Sequence, residues 1–302
     1  MTRRAIILFA ALGLAWGIPY LLIKIAVGEI SPAVLVLSRC ALGALILLPL
    51  ALARRQVIPV LKRWLPLLVY TLVELILPWG FLSTAEERLP SSTAGLLLAA
   101  VPLVGVAVAF FFGRPARLTG MNWLGILVGM LGVAALVGLD VSGSDLVGVA
   151  QLAVVVVGYA LGPAILSRWM SDLPGVGVVA VSLAIAAVVY IPIVAVTGGW
   201  PAHLPSGGVI ASVITLAVVC SAAAFLIMFA LIAEVGPVRA TTITYVNPAV
   251  AIVAGALVLG ERITVWTVIG FVCVLAGSFL VTRHRAPTAE LPVATANEGA
   301  DG

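Results

Sequence analysis

The sequence predicts an all-α integral membrane protein. Its ten transmembrane helices form two inverted five-helix repeats, with the N and C termini cytoplasmic. Three observations carry this. Of the 302 residues, 63% are hydrophobic and 9% are charged. A soluble domain is about 25% charged, so lipid must solvate most of this surface. Apolar runs near the roughly 20-residue length that spans a bilayer recur ten times. Finally, one span design appears twice. Residues 240–262 hold Pro248 near mid-span and end at Gly260-Glu261-Arg262. Residues 94–114 hold Pro102 at the same depth and end at Gly113-Arg114. The two prolines lie 146 positions apart (248 − 102), close to half of the chain. Recurrence at half-length suggests two copies of one membrane unit.

The first span, 5–26, follows Arg3 and Arg4. A signal peptide also starts basic and turns apolar. This run is longer, contains Trp16 and Pro19, and is followed at once by further spans. Those are 33–53, 65–85, 92–113 and 119–139, then 146–167, 176–197, 209–232, 240–260 and 264–282. The first repeat is therefore 5–139 and the second 146–282. The polar tail 283–302 buries too little to fold, and is expected to be a disordered cytoplasmic segment. Five spans per repeat is an odd number, so the second copy enters from the opposite side.

Charge sets the orientation. One side collects Arg3, Arg4, Arg54, Arg55, Lys62, Arg63, Arg114, Arg117, Arg168, Arg239, Arg283 and Arg285; the other has only Lys24, Arg88 and Arg262. That bias places both termini in the cytoplasm of a cell whose plasma membrane the chain crosses many times. It also disposes of nucleic acid as the reason for the net charge of +4, because the basic residues sit at span ends.

The halves match in detail. Gly13-x-x-x-Gly17 precedes Pro19 in span one, and Gly158-x-x-x-Gly162 precedes Pro163 in span six. Small residues four apart let helix backbones approach closely in lipid. Pro19, Pro102, Pro163 and Pro248 are candidate helix-break or gating positions, because proline interrupts the backbone ladder. Spans five and ten start near Trp123 and Trp266 and carry Gly125/Gly132 and Gly270/Gly277.

The ordered set resembles the drug/metabolite transporter superfamily, in its ten-span EamA-domain branch. It comprises Trp16-Gly17 with Lys24, Arg39 early in span two, residues 85–102, residues 236–248 and Gly260-Glu261-Arg262. There are departures: Gly113-Arg114 stands where the family often has an acidic residue, and span seven has Leu183 near the place equivalent to Arg39. The resemblance implies a secondary transporter, an exporter by family habit, of small organic metabolites or amino-acid-like solutes.

Glu74 is the most unusual residue, a carboxyl in the middle of LVYTLVELILPWGF. An ionised carboxylate at the bilayer centre costs about 2.5–3.5 kcal/mol even on insertion scales. It must be paired, protonated or facing a wet cavity. One reading makes it a substrate contact or proton carrier. The other pairs it with Arg39, the only basic residue inside a span, about 6 Å away in depth at about 1.5 Å rise per residue. Tyr70 and Pro78 flank Glu74 four residues either side, on its helix face. Trp16, Trp79, Tyr159, Tyr245 and Asn247 complete the candidate substrate-binding or coupling set. For each, anchoring at an interface or packing is the rival role. Thr241, Thr244 and Asn247 can also serve carbonyls freed by Pro248.

Enzyme chemistry is not indicated. Glu86-Glu87 is expected to lie in a solvated outer turn beside Arg88. Cys40, Cys220 and Cys273 fall inside apolar runs, which predicts neither disulfide nor metal site. His203 and His284 lie in polar segments, and no HExxH or GxxxxGK[ST] motif occurs. No catalytic residue, metal or cofactor is expected, and ATP is not the driver. Partners are a small-molecule substrate, the bilayer and, as candidate coupling ion, protons. One chain supplies both halves, so a monomer suffices and a homodimer stays open. An uncoupled facilitator or exchanger and a non-transporting scaffold are the alternatives; the short loops weigh against the scaffold.

Overall fold

The computed structural model describes residues 2–111, 120–140, 145–197, 199–236 and 240–283. Every regular element among them is helical. Arg114, Arg117, Arg239, His284, Arg285 and the rest of the tail 284–302 lie outside the described residues.

Ten principal helices follow in order. These are α1 (Arg3–Gly17 and Pro19–Ala26), α2 (Pro32–Ala53), α3 (Trp64–Arg88), α4 (Ser91–Leu98 and Val101–Phe111) and α5 (Gly120–Asp140). Then come α6 (Leu146–Trp169), α7 (Gly175–Thr197), α8 (Gly207–Val235), α9 (Thr241–Tyr245 and Asn247–Leu259) and α10 (Val265–Arg283). A short helix, Val57–Leu61, joins α2 to α3. The first eight are long and apolar enough to cross a membrane; the apolar stretches of the last two, Ile243–Leu259 and Val265–Val281, are shorter.

Local chemistry sets the boundaries. Thr2, Ser31 and Ser206 each accept a backbone N–H at a helix start. Gly236 and Gly260 end α8 and α9 with φ of 81° and 65°, where a side chain would be strained. Proline breaks three helices. The second segments of α1, α4 and α9 begin at Pro19, at Val101 beside Pro102, and at Asn247 beside Pro248. By contrast, α6 runs unbroken through Pro163.

Glycine lets the backbones meet. A Cβ at Gly125 would come within 2.8 Å of the Gly277 carbonyl oxygen, and one at Gly132 within 3.0 Å of the Gly270 carbonyl oxygen. The two seven-residue pairs thus face each other in reverse order, and α5 and α10 pack backbone to backbone. Large apolar side chains point outward, including Leu45 (71% exposed), Val196 (87%) and Leu257 (81%). Such a surface needs lipid. Inside, one large apolar cluster joins helices of both halves, and a smaller one gathers α1, α8 and α9 around Leu12 and Leu231.

Candidate functional site

The site begins with a defect in α3. Pro78 has no N–H, so the Glu74 carbonyl loses its usual donor. The helix widens there into a π turn over Leu72–Ile76, closed by Leu77 N–H on the Leu72 carbonyl. The Tyr190 hydroxyl of α7 donates to the Ile76 carbonyl at 2.8 Å. Gly80 makes the room, since a Cβ there would strike that hydroxyl. A second π turn, Val218–Ala223, interrupts α8. It starts 146 residues after the first (218 − 72), the same interval that separates Pro102 from Pro248. Single π turns concentrate at functional positions in helices.

Arg39 links the two defects. It is 7% exposed. Its Nε donates to Ser221 Oγ at 2.9 Å, and Ser221 donates onward to the Leu216 carbonyl at 2.8 Å. The guanidinium lies 3.7 Å from the centre of the Trp79 ring. A cation over an indole face in a desolvated site is a strong contact, worth about 2 kcal/mol or more. The Arg39–Glu74 ion pair, one of the two readings the spacing allows, is not formed. Arg39 turns to α8 and Trp79, whereas Glu74 turns to α6. Sequence spacing gives depth along a helix, but the direction around its axis is set by neighbours.

Glu74 fits against Gly162. A Cβ at Gly162 would collide with Glu74 Oε2, and one at Gly158 would collide with the Val73 carbonyl and come within 2.8 Å of the Pro78 ring. The Gly158/Gly162 face therefore receives the π turn of α3. Oε2 of Glu74 is buried without a hydrogen-bond partner. Tyr70 lies within coulombic range of Glu74. Tyr159 lies within range of Glu74, Arg39 and Glu86, with the Trp79 indole turned toward its hydroxyl. Thr71 donates to Ser182 of α7 at 2.9 Å just beside this group.

The remaining candidates sit elsewhere. Trp16 meets Phe225 edge-on at 5.9 Å and belongs to the smaller apolar cluster. The Tyr245 hydroxyl donates to the Ser278 carbonyl at 3.1 Å, and Ser278 donates to the Ala99 carbonyl beside the α4 break at 3.0 Å. Asn247 sets its carbonyl 3.2 Å from a Cβ placed at Gly17, and its Oδ1 is buried without a partner.

Glu86 overturns its expectation. It is not in a solvated turn but inside α3 and 0% exposed, while Glu87 and Arg88 beside it are exposed. The helix runs farther than its apolar stretch, and α2, α6 and α1 cover that side. Ser221 and both π turns also escaped the sequence. A lone serine in VVCSAAAFL carries no local signal, and neither do the π turns.

Acidic residues lace helix ends together across the halves. Glu29 accepts from Ser206 N–H at 2.7 Å and from its hydroxyl at 2.6 Å. Glu261, aimed by the left-handed Gly260, accepts from Ser91 N–H (2.7 Å), the Ser91 hydroxyl (2.9 Å) and Ser92 N–H (2.9 Å). Anions are favoured at helix starts. The Ser206 hydroxyl and N–H hold the Glu29 carboxyl below its ordinary range. For Glu261 partial burial acts upward, but the bonds from Ser92 and Ser91 outweigh it and the group also lies low. Lys24 Nζ donates to the Glu86 and Leu89 carbonyls at 2.5 and 3.0 Å. At the opposite ends, Arg63 meets Asp172 at 3.1 Å and Arg4 meets Glu234 at 3.8 Å.

A cleft of about 430 Å³ opens between α2, α3, α6 and α7, lined by Ser31, Gly80, Thr84, Gln151, Tyr190 and Thr197 among others. None of the sequence candidates lines it. It is mostly apolar, whereas the charged and aromatic groups cluster around Arg39. That group offers one buried cation, unpartnered acceptor oxygens and aromatic faces contributed by both halves.

The EamA-like transporter family matches residues 3–138 and 146–283. The chain is 30% identical over 270 residues to the "Uncharacterized inner membrane transporter YedA" of Escherichia coli (strain K12), covering 87% of this chain and 86% of that protein. It is 25% identical over 291 residues to the "Uncharacterized transporter YvbV" of Bacillus subtilis (strain 168), covering 95% and 94%. A crystal structure of a protein 21% identical superposes with a TM-score of 0.67 over 93% of this chain and 98% of that one, a likeness of fold.

Proposed function

Because the chain belongs to the EamA-like transporter family, we propose that it moves a small organic solute across the plasma membrane by alternating access between its two halves. One observation carries this reading. Arg39 of the first half is bonded to Ser221 of the second inside the apolar core, beside Trp79 and within range of Tyr159 of the second half. A buried cation shared between the repeats is where a solute would be held while the halves rock. An Arg fork suits a carboxylate, in keeping with an amino-acid-like solute.

All ten helices cross the membrane in this reading, as two inverted repeats, 5–139 and 146–282, with both termini cytoplasmic. Its support is the pairing of ends. Arg63 with Asp172 and Arg4 with Glu234 join ends that this topology puts inside. Glu29 with Ser206, Glu261 with Ser91 and Lys24 with Leu89 join ends that it puts outside. Outward transport and coupling to protons through Glu74 belong to the same proposal, as do Pro19, Pro102 and Pro248 as the places where helices flex. Trp16, Tyr70, Tyr245 and Asn247 are assigned to the flanks of the solute path.

The test is uptake into proteoliposomes from a mixed metabolite pool, with and without an imposed proton gradient, for wild type and Glu74→Gln. Gradient-driven accumulation that the variant abolishes is expected. Equilibration that ignores the gradient would instead mark a facilitator and return Glu74 to solute binding. No movement of any solute would overturn the reading.

A further inference from the structure

We propose that Glu86 is a proton-binding carboxyl of this protein, exchanging its proton with the outer side and distinct from Glu74. The proposal rests on the transport reading above. Glu86 is 0% exposed, and both of its carboxyl oxygens are buried without a hydrogen-bond partner. It sits two residues before the end of α3, where the helix dipole disfavours an anion. Burying an unpaired carboxylate is costly; a neutral acid is the cheaper occupant of such a site.

The neighbouring cation Lys24 offsets that burial only in part. Lys24 has three N–H donors. It commits two of them to the backbone carbonyls of Glu86 and Leu89, and none to the Glu86 carboxyl. The surrounding groups are few. From α1 they are Lys24 and Tyr20, from α2 Arg39, and from α6 Tyr159, all within coulombic range. From the turn before α10, the Glu261 carboxylate adds a like charge, while α4 presents only Ser91, Ser92 and Thr93. Glu74, Glu87 and Arg88 share the helix, and the last two face solvent.

This places Glu86 between the laced outer ends and the Arg39 group. A proton taken up by the carboxylate gives the neutral acid that this closed, unpaired site favours. When the outer ends part, Lys24 is free to leave the two carbonyls and pair with the carboxylate, and the proton leaves. Glu86 would then link the state of the outer gate to its proton. Lys24, acting through Glu86, is a positioning residue.

Infrared difference spectroscopy of the full chain in lipid, in the Glu74→Gln background, provides the first test. A protonated-carboxyl carbonyl band is expected, lost on adding Glu86→Gln and shifted by Glu86→Asp. A band indifferent to both changes overturns the proposal. Transport provides the second. Glu86→Gln should keep solute counterflow at the wild-type rate and lose gradient-driven accumulation. Accumulation at the wild-type level overturns the proposal. Wild-type protein that moves no solute defeats the transport reading instead, and the infrared band still decides whether Glu86 holds a proton.

Discussion

The Glu74 carboxylate occupies the space that a side chain on Gly162 would need. A mid-membrane acid thus lies against the barest point of the facing helix. Gly162→Ala forces the two apart. We expect a loss of about 1–3 kcal/mol, the usual cost of overpacking a filled core. Thermal unfolding in detergent or lipid would register it. Shortening Glu74 to Ala in the same chain should recover part of that loss, because residues in contact are not additive. Strictly additive losses would show that the contact does not matter.

Arg39 makes a flat contact on Trp79 and a directed one to Ser221. Lysine keeps the charge but not the planar fork. Arg39→Lys should therefore lower the transport rate about tenfold or more, equivalent to about 1.4 kcal/mol. Ser221→Ala should have a smaller effect in the same direction. Transport by Arg39→Lys at the wild-type rate would show that only the charge is used.

Glu261 gives the end of the bundle where it meets Ser91 and Ser92 a pH dependence. Its carboxyl is held below the ordinary value, so the ionised form is the one the folded protein favours. The stabilisation is complete above the ordinary carboxylate range and is lost as pH falls through that range toward the lowered value. Wild type should lose melting temperature over that acid interval. Glu261→Gln should start lower at neutral pH and show a shallower acid loss. Because Glu261 is half-buried, high salt should shrink the difference.

The α5–α10 seam separates glycines that are required from one that is not. A Cβ at Gly277 would come within 2.5 Å of both the Gly125 carbonyl oxygen and the Gly129 nitrogen. Gly277→Ala should destabilise by about 1–3 kcal/mol. Gly105, in α4, has open space around it. Gly105→Ala should be neutral or gain up to about 1 kcal/mol from helix propensity. Equal melting temperatures for the two variants would contradict this packing.

Much of this architecture is legible in the chain because it follows from local covalent chemistry. The apolar runs had to become helices, since lipid offers the backbone no partners. Pro19, Pro102 and Pro248 were legible as places to break a helix, since proline lacks the N–H. The paired glycines and the interval of 146 residues disclosed the repeat. What a residue meets across the membrane is another matter. Arg39 and Glu74 lie within reach of each other in depth, yet one turns to α8 and the other to α6. Pro163 resembles Pro19 in sequence, yet its helix runs on. Glu86 belongs to a charged triplet, yet it alone is buried. Each of these depends on the direction a side chain takes around its helix axis and on which helix covers that side. The helices and their doubling are written in the chain, because backbone satisfaction in lipid is a local demand. Only the tertiary structure decided which polar groups meet, because that depends on the rotation and packing of helices distant along the chain.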